Sequence, residues 1–117
     1  LFEYLSSHPD LNEHGRLFVI VGRGTFSSGL WAAYDMKKTN AVFVGEPTGG
    51  KPNHLGEVKS VQLPSSGLTL YYSTRDWVFL QDEDPAALEP EVRVEFLSSD
   101  YFAGKDAALE AVFEFVE

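Results

Sequence analysis

Two short apolar runs, with a helix-like segment between them, constrain the fold of this chain more than any other feature. The runs are Leu17–Val21 and Ala41–Val44, and unbroken runs of this kind are typical of strands covered on both faces of a sheet. Between them, Leu30, Trp31 and Tyr34 recur at helical spacings. A strand, a helix and a second strand in this order predict a parallel βαβ unit with a right-handed crossover.

The remaining sequence predicts a hairpin, a further strand and a closing helix. Residues 57–63 and 68–74 flank the turn sequence Pro64-Ser-Ser-Gly67 and predict an antiparallel hairpin. Residues 92–96 alternate apolar and charged side chains, as a half-buried strand does, and Asp106 is placed to cap the last helix. The apolar face of that helix is predicted to consist of Leu109, Val112, Phe113 and Val116. We therefore expect an α/β fold.

The composition fits a single folded domain over residues 1–117 and excludes several classes of function. Of the 117 residues, 44% are hydrophobic, so the low-hydrophobicity signature of disorder is absent from the sequence. A formal net charge of −9 disfavours nucleic acid as a partner, and no apolar run approaches the length of a membrane span. The lack of cysteine excludes thiolate catalysis. Because residues 1–8 are already helix-like and carry no initiator Met, we expect a part of a longer polypeptide.

A turn rich in small residues, running from Gly22 to Gly29, follows the first predicted strand. It places Ser27 and Ser28 at the start of the predicted helix. There, unpaired backbone N–H groups and the positive end of the helix dipole can stabilise an alkoxide or an oxyanion, while a sharp turn exposes the hydroxyl. Taken alone, however, the turn is explained better by a serine that caps the helix.

A glycine-rich loop, Gly45-Glu-Pro-Thr-Gly-Gly-Lys51, follows the second predicted strand. Because parallel strands place their following loops at the same edge of a sheet, we expect Lys51 to approach the serine turn. A lysine that is partly desolvated can lose its proton near neutral pH and then accept the proton of a serine. In isolation, the loop is explained better by an exposed lysine in a flexible segment.

The same loop permits a second interpretation, which is phosphate binding. Gly45, Gly50 and Lys51 match the beginning of a P-loop that follows a strand. Pro52, however, stands where a serine or threonine should hold magnesium, and Glu46 adds negative charge where phosphates would lie. No helical pattern follows the loop, so nucleotide binding is the less favoured interpretation.

No metal or cofactor site is predicted. His8, His14 and His54 do not have the spacing of metal ligands. The acidic residues 82–84 lack the glycine and the glutamate that complete a calcium loop. A solvated cluster of charges explains this acidic segment better.

Taken in order, the serine turn and the glycine-rich loop resemble the catalytic core of the tail-specific (C-terminal-processing) serine peptidases, family S41. Members of that family carry T-x-S at the start of a helix and G-E-x-T-x-G-K after the next strand, which residues 25–27 and 45–51 match. The resemblance continues through Leu63-Pro64 and residues 89–94 to the closing helix, so it covers nearly the whole chain. It implies that Ser27 is the nucleophile and that Lys51 is the general base.

The resemblance also implies a ClpP/crotonase-like core, of which this chain would be the C-terminal half of the catalytic domain. The PDZ-like module of many relatives and part of the oxyanion hole would then lie upstream, which leaves the isolated chain incomplete and poorly active. The substrates implied are unstructured or C-terminal segments of peptides or proteins, hydrolysed without a cofactor. The location implied is exported, cell-envelope or secreted in a bacterium, and the oligomeric state stays open.

Four departures from the family pattern leave alternatives open. Leu30 replaces a glutamate after the serine, and Ser28 is an alternative nucleophile. The spacing from the serine to the lysine is slightly shorter than usual. Leu55 stands near the place of a glutamine that orients the lysine in some relatives, and the adjacent His54 is a candidate for that orienting role. The base could also be a histidine outside the chain, and the alternative function is a catalytically inactive S41-like module that binds peptides or other apolar ligands.

Overall fold

The computed structural model describes residues 1–116, and within them four helices and five strands form a mixed α/β fold. The helices are α1 (Phe2–Ser6), α2 (Ser28–Met36), α3 (Ser98–Phe102) and α4 (Ala107–Val116). The strands are β1 (Phe18–Val21), β2 (Val42–Gly45), β3 (His54–Gln62), β4 (Thr69–Trp77) and β5 (Val92–Arg93). The predicted α/β class is confirmed, whereas the ClpP/crotonase-like core stays a prediction. No helix in the described part of the chain is long and apolar enough to cross a membrane.

The first sheet is parallel and has the strand order β1-β2-β5. β1 and β2 pair in register, so that Val21 and Gly45 stand side by side where the two strands end. With α2 between them, these strands form the predicted βαβ unit. β5 is shorter than the predicted strand over residues 92–96, because its pairing with β2 ends at Arg93.

The second sheet is the predicted hairpin, in which β3 pairs with β4 in antiparallel register from His54↔Trp77 to Gln62↔Thr69. Gly67 closes the turn at a positive φ of 69°. The strands extend further toward the base of the hairpin than residues 57–63 and 68–74. We call residues 54–77 the arm, because its side chains are mostly exposed and the molecule is elongated, at 62 × 38 × 23 Å.

The hydrophobic core lies beneath α2 and around β2, and its buried members are Val21, Leu30, Ala33, Met36, Ala41, Phe43 and Leu88. β2 is buried at every position, as predicted. β1 is not, because Ile20 remains 47% exposed. On that face of β1, Phe115 of α4 packs against Phe18, with ring centroids 5.4 Å apart. We infer that α4 covers one end of the strand and leaves the other end uncovered.

α4 closes the fold as predicted, but it docks through a different face. Asp106 caps it, since the Leu109 N–H donates to Asp106 Oδ1 at 3.0 Å. Three of the four residues predicted for its apolar face are exposed, namely Leu109, Phe113 and Val116; the fourth, Val112, is half-buried. The residue that the helix buries completely is Ala108. A small side chain lets the helix backbone approach the sheet closely, and a pattern based on large apolar residues overlooks it.

Candidate active site

Ser27 lies immediately before α2, where the chain turns sharply from strand to helix. Its backbone has φ 52° and ψ −126°, and a positive φ is uncommon and strained for a residue other than glycine. The turn is closed by Thr25, whose N–H donates to the Gly22 carbonyl at 2.8 Å and whose Oγ1 accepts from the Gly22 N–H at 3.2 Å. This is the strained strand-to-helix geometry that presents serine nucleophiles in hydrolases.

The explanation of Ser27 as a helix cap does not hold. A capping serine has an extended backbone and accepts a hydrogen bond from an N–H of the first turn. Ser27 has neither feature, because its backbone lies at φ 52° and its side chain makes no capping hydrogen bond. The residue is also exposed. Ser28 begins the helix itself, so the strained position belongs to Ser27.

The serine turn and the glycine-rich loop are in direct contact at the edge where β1 and β2 end. A Cβ atom added to Gly49 would lie 1.8 Å from the carbonyl oxygen of Arg23. One added to Gly50 would lie 3.4 Å from Cβ of Phe26. Two loops approach this closely only where glycine stands at the contact. The sequence prediction that both loops occupy one edge of the sheet agrees with this packing.

Lys51 follows these glycines, but its amine points to an acidic residue. Lys51 Nζ donates to Asp84 Oδ2 at 2.5 Å, and both side chains are about half exposed. Within residues 1–116 no hydrogen bond joins Lys51 to Ser27. Exposed ion pairs contribute about 0–1 kcal/mol, so this pair restrains the amine only weakly. The role of Lys51 as general base stays a prediction.

A cavity of about 310 Å³ opens beside Ser27. Its lining consists of Ser27, Ser28, Trp31, His54, Glu57 and Trp77. Glu57 has a φ of 50°, and it and Ser27 are the two non-glycine residues with positive φ from Leu1 to Val116. Backbone strain of this kind persists only where the surroundings enforce it, and it clusters at functional sites. The cavity therefore marks the candidate active site.

One side of the cavity is aromatic and was not identified from the sequence. Trp31 packs edge to face on Trp77, with centroids 4.8 Å apart, and lies 5.4 Å from Phe79. We call these three residues the aromatic wall. The buried Trp31 Nε1 has no hydrogen-bond partner in the part of the chain that the structure describes. Burial, with a smaller contribution from Glu83, raises the pKa of the neighbouring Tyr34, so its phenol adds no charge at neutral pH.

The sequence could have indicated one residue of the aromatic wall, Trp31, but not the other two. Trp31 follows Ser27 by four positions and therefore lies in the first turn of the helix that begins after Ser27. Trp77 and Phe79 lie far along the chain. The arm brings Trp77 back beside α2, where it lines the cavity, and Phe79, just after the arm, packs against Trp31. Arg75 packs over Trp77, with the guanidinium carbon 3.7 Å from the indole centroid.

His54, at the first position of β3, has one ring nitrogen fixed by the backbone. Its Nδ1 lies 2.9 Å from the carbonyl oxygen of Pro52, and its ring packs 6.5 Å from that of Trp31. Over the described residues no hydrogen bond joins His54 to Lys51. The predicted orienting role of His54 toward that lysine thus stays a prediction.

Two departures from the family pattern have structural explanations. Leu30 is fully buried and belongs to the core, so a charged side chain there would be unfavourable in this chain. Leu55 is 70% exposed. Successive residues of a strand point to opposite faces, and His54 rather than Leu55 faces the cavity.

The structure also excludes the P-loop alternative. A P-loop leads into a helix, whereas Lys51 is followed by strand β3. Glu46, in the same loop, accepts a hydrogen bond from Arg23 at 2.8 Å, so the loop carries a carboxylate that is already paired. Among the residues described, no group of three or more His, Asp or Glu side chains could hold a metal ion.

Thr48 holds the glycine-rich loop to the segment around Leu88. It is 6% exposed, its Oγ1 accepts from the Leu88 N–H at 2.9 Å, and its hydroxyl donates to the Gly50 carbonyl at 2.9 Å. Replacing Thr48 by valine keeps the shape but leaves a buried N–H without a partner. We expect Thr48→Val to lower the free energy of unfolding by about 1–3 kcal/mol, measured by urea unfolding of the full-length protein.

Thr48→Ser is the matched control, because it keeps the hydroxyl and removes only a methyl group. We expect it to retain most of the stability that the valine variant loses. If the serine variant is as unstable as the valine variant, the methyl group rather than the hydrogen bond holds the loop.

Comparisons with known proteins identify the fold. No model of a known protein family matches the sequence, and no curated protein matches it significantly. The structure is similar to the crystal structure of a protein from Parabacteroides merdae ATCC 43184 that is described as a "putative peptidase", with a TM-score of 0.60 and 21% identity. The match covers 85% of this chain and 31% of the other. This chain thus shares the fold of one segment of a larger protein, and S41 membership stays a prediction.

Proposed function

We propose that this chain belongs to a serine-type peptidase of the S41 kind, in which Ser27 is the nucleophile. The observation that carries the proposal is the strained backbone of Ser27, at φ 52°. Its hydroxyl makes no capping hydrogen bond, and the residue lines a cavity. The match of residues 25–27 and 45–51 to the family motifs supports the same class. So does the shared fold with a protein described as a "putative peptidase".

The proposed reaction begins with attack of Ser27 Oγ on the carbonyl carbon of a peptide bond. Negative charge then develops on the carbonyl oxygen, and the proposed donors that stabilise it are N–H groups at the N-terminus of α2. The Gly29 N–H is already bonded to the Phe26 carbonyl at 3.1 Å. The Ser28 N–H, directly after the nucleophile, is therefore the donor that we assign to the oxyanion. Water later hydrolyses the acyl-enzyme.

We propose unstructured or C-terminal peptide segments as the substrates. Support for this choice comes from the family resemblance. The aromatic wall adds a second argument, because it offers an apolar surface for a side chain next to the bond that is cleaved. The general base that the resemblance implies is Lys51, whose amine has to leave Asp84 before it can reach Ser27.

Labelling with a fluorophosphonate, which reacts with activated serines, tests the nucleophile. We expect the full-length protein to gain one adduct, mapped to Ser27 by peptide mass spectrometry. Ser27→Ala should abolish the adduct and the turnover of unstructured peptides, while the circular dichroism spectrum stays unchanged. Ser28→Ala is the matched control and should keep the adduct, because its oxyanion donor is a backbone N–H.

An adduct at Ser28 that survives in Ser27→Ala would transfer the role of nucleophile to the second serine. A wild-type protein that takes no label at neutral or alkaline pH would contradict the peptidase proposal. That result would favour the alternative, an inactive S41-like module that binds peptides or apolar ligands in the same cavity.

A further inference from the structure

We propose that His54, rather than Lys51, accepts the proton of Ser27, through its Nε2 atom. This inference rests on the proposed function, because it names the proton acceptor for the same nucleophile. It follows from how the backbone orients the imidazole, from where the ring lies, and from how Lys51 is engaged.

The contact between His54 and Pro52 determines which ring nitrogen carries the proton. A carbonyl oxygen can only accept a hydrogen bond, so Nδ1, at 2.9 Å from it, must be the donor. In a neutral imidazole the other nitrogen, Nε2, then has a free lone pair and can act as a base. The same Nδ1–H bond stabilises the imidazolium that forms once Nε2 is protonated.

The backbone around His54 is held firmly enough to fix the direction of the ring. Pro52 is fully buried, so its carbonyl has a defined position. Asn53 is bound on both sides: its Oδ1 accepts from the N–H groups of Phe79 and Leu80 at 2.8 and 2.9 Å, and its Nδ2 donates to carbonyls of the same segment. A catalytic group needs a supporting layer of this kind to stay aligned.

His54 and Ser27 line the same cavity. The His54 ring packs against Trp31, whose backbone N–H donates to the Ser27 carbonyl at 3.2 Å. Among residues 1–116, neither Ser27 Oγ nor His54 Nε2 has a hydrogen-bond partner. Catalytic hydrogen bonds are often long in a free enzyme and shorten when substrate binds.

Lys51 is the less suitable acceptor by the same criteria. Its side chain is not part of the cavity lining, and its amine is paired with Asp84 at 2.5 Å. An ammonium group has no lone pair, so Lys51 would have to lose both its proton and its partner before acting as a base. His54 lines the cavity with Ser27, and its ring contacts a backbone carbonyl rather than a carboxylate.

The proton follows a closed path in the proposed reaction. Ser27 Oγ forms a bond to the carbonyl carbon while its O–H bond breaks, and the proton moves to His54 Nε2. When the C–N bond of the substrate breaks, Nε2 returns this proton to the leaving amine, and the acyl-enzyme remains. Water then attacks the ester and gives a proton to Nε2, which passes it back to Ser27 Oγ as the carboxylic acid leaves.

The test compares the rate of fluorophosphonate labelling at Ser27 between two variants of the full-length protein. His54→Asn keeps a donor near Nδ1 for the Pro52 carbonyl but removes Nε2, and should slow labelling by about 10²- to 10⁴-fold, the usual contribution of general base catalysis. Lys51→Met removes the amine that the family resemblance implies as the base, and it should slow labelling at least about tenfold less than His54→Asn does.

A third variant separates loss of the base from loss of the fold. In His54→Ala, added imidazole should restore part of the labelling rate, since it can occupy the vacated space and accept the proton. A variant that only disturbs the structure would not respond. A folded His54→Ala protein that imidazole does not rescue would therefore overturn the proposal.

The remaining outcomes are also informative. If Lys51→Met slows labelling strongly and His54→Asn does not, the lysine is the base and our assignment is overturned. Equal losses in both variants would mean that His54 acts through Lys51, which also overturns it. A wild-type protein that takes no label refutes the peptidase proposal itself, whereas a labelled wild type with a fast His54→Asn variant refutes only this inference.

Discussion

Replacement of Gly49 by alanine is expected to abolish labelling of Ser27 and to lower the free energy of unfolding by about 3 kcal/mol, the upper part of the range for overpacking. The added Cβ would lie 1.8 Å from the carbonyl oxygen of Arg23, so one of the two backbones has to move. Neither can move easily. Thr48 anchors the glycine-rich loop to Leu88, and Thr25 closes the serine turn.

The measurements for this prediction are urea unfolding and the labelling rate at Ser27. Gly24→Ala is the matched control, because it adds the same methyl group within the facing turn, at a position with nothing within 4 Å in the described structure. We expect this control to change the stability by less than about 1 kcal/mol. Equal stability of the two variants would mean that the loops are not pressed together.

The second large effect is expected for Asn53→Ala, which removes four hydrogen bonds at the base of the arm. The N–H groups of Phe79 and Leu80 would lose their acceptor in a partly buried setting. We expect a loss of about 2–4 kcal/mol, because each buried donor left without a partner costs about 1–3 kcal/mol. Labelling of Ser27 should also slow, since Phe79 belongs to the aromatic wall and His54 is the next residue.

Urea unfolding and hydrogen exchange over residues 76–84 provide the measurements. Asn12→Ala is a suitable control, because its side chain also binds the backbone, accepting from the Asn40 N–H at 2.7 Å, but makes fewer bonds. It should cost about 1 kcal/mol and leave the labelling rate unchanged. If exchange over residues 76–84 is the same in Asn53→Ala and the wild type, Asn53 does not hold this segment.

The sequence was sufficient to predict the βαβ unit and the hairpin. An apolar run is a local signal that predicts a strand. Because parallel strands end at the same edge of a sheet, the loops that follow two such strands are predicted to lie at that edge. Hence the serine turn and the glycine-rich loop could be placed together. Pro64 and Gly67 likewise identify the turn of the hairpin, because their backbone preferences are intrinsic.

What the sequence did not reveal depends on contacts between distant residues. The pair Lys51–Asp84 and the approach of Trp77 to Trp31 depend on the path of the arm and of the segment after it. No local pattern encodes that path. The tautomer of His54 depends on a carbonyl two residues earlier, and periodicity gives no information about carbonyl directions.

Ser27 reduces the stability of the molecule that contains it. A residue with a side chain at positive φ costs about 1–3 kcal/mol relative to an unstrained one, and glycine adopts the same conformation without that penalty. If stability alone determined the residue at position 27, glycine would be favoured. Serine at this position therefore fits the proposal that Ser27 is the nucleophile, because glycine would be the more stable choice but has no hydroxyl group.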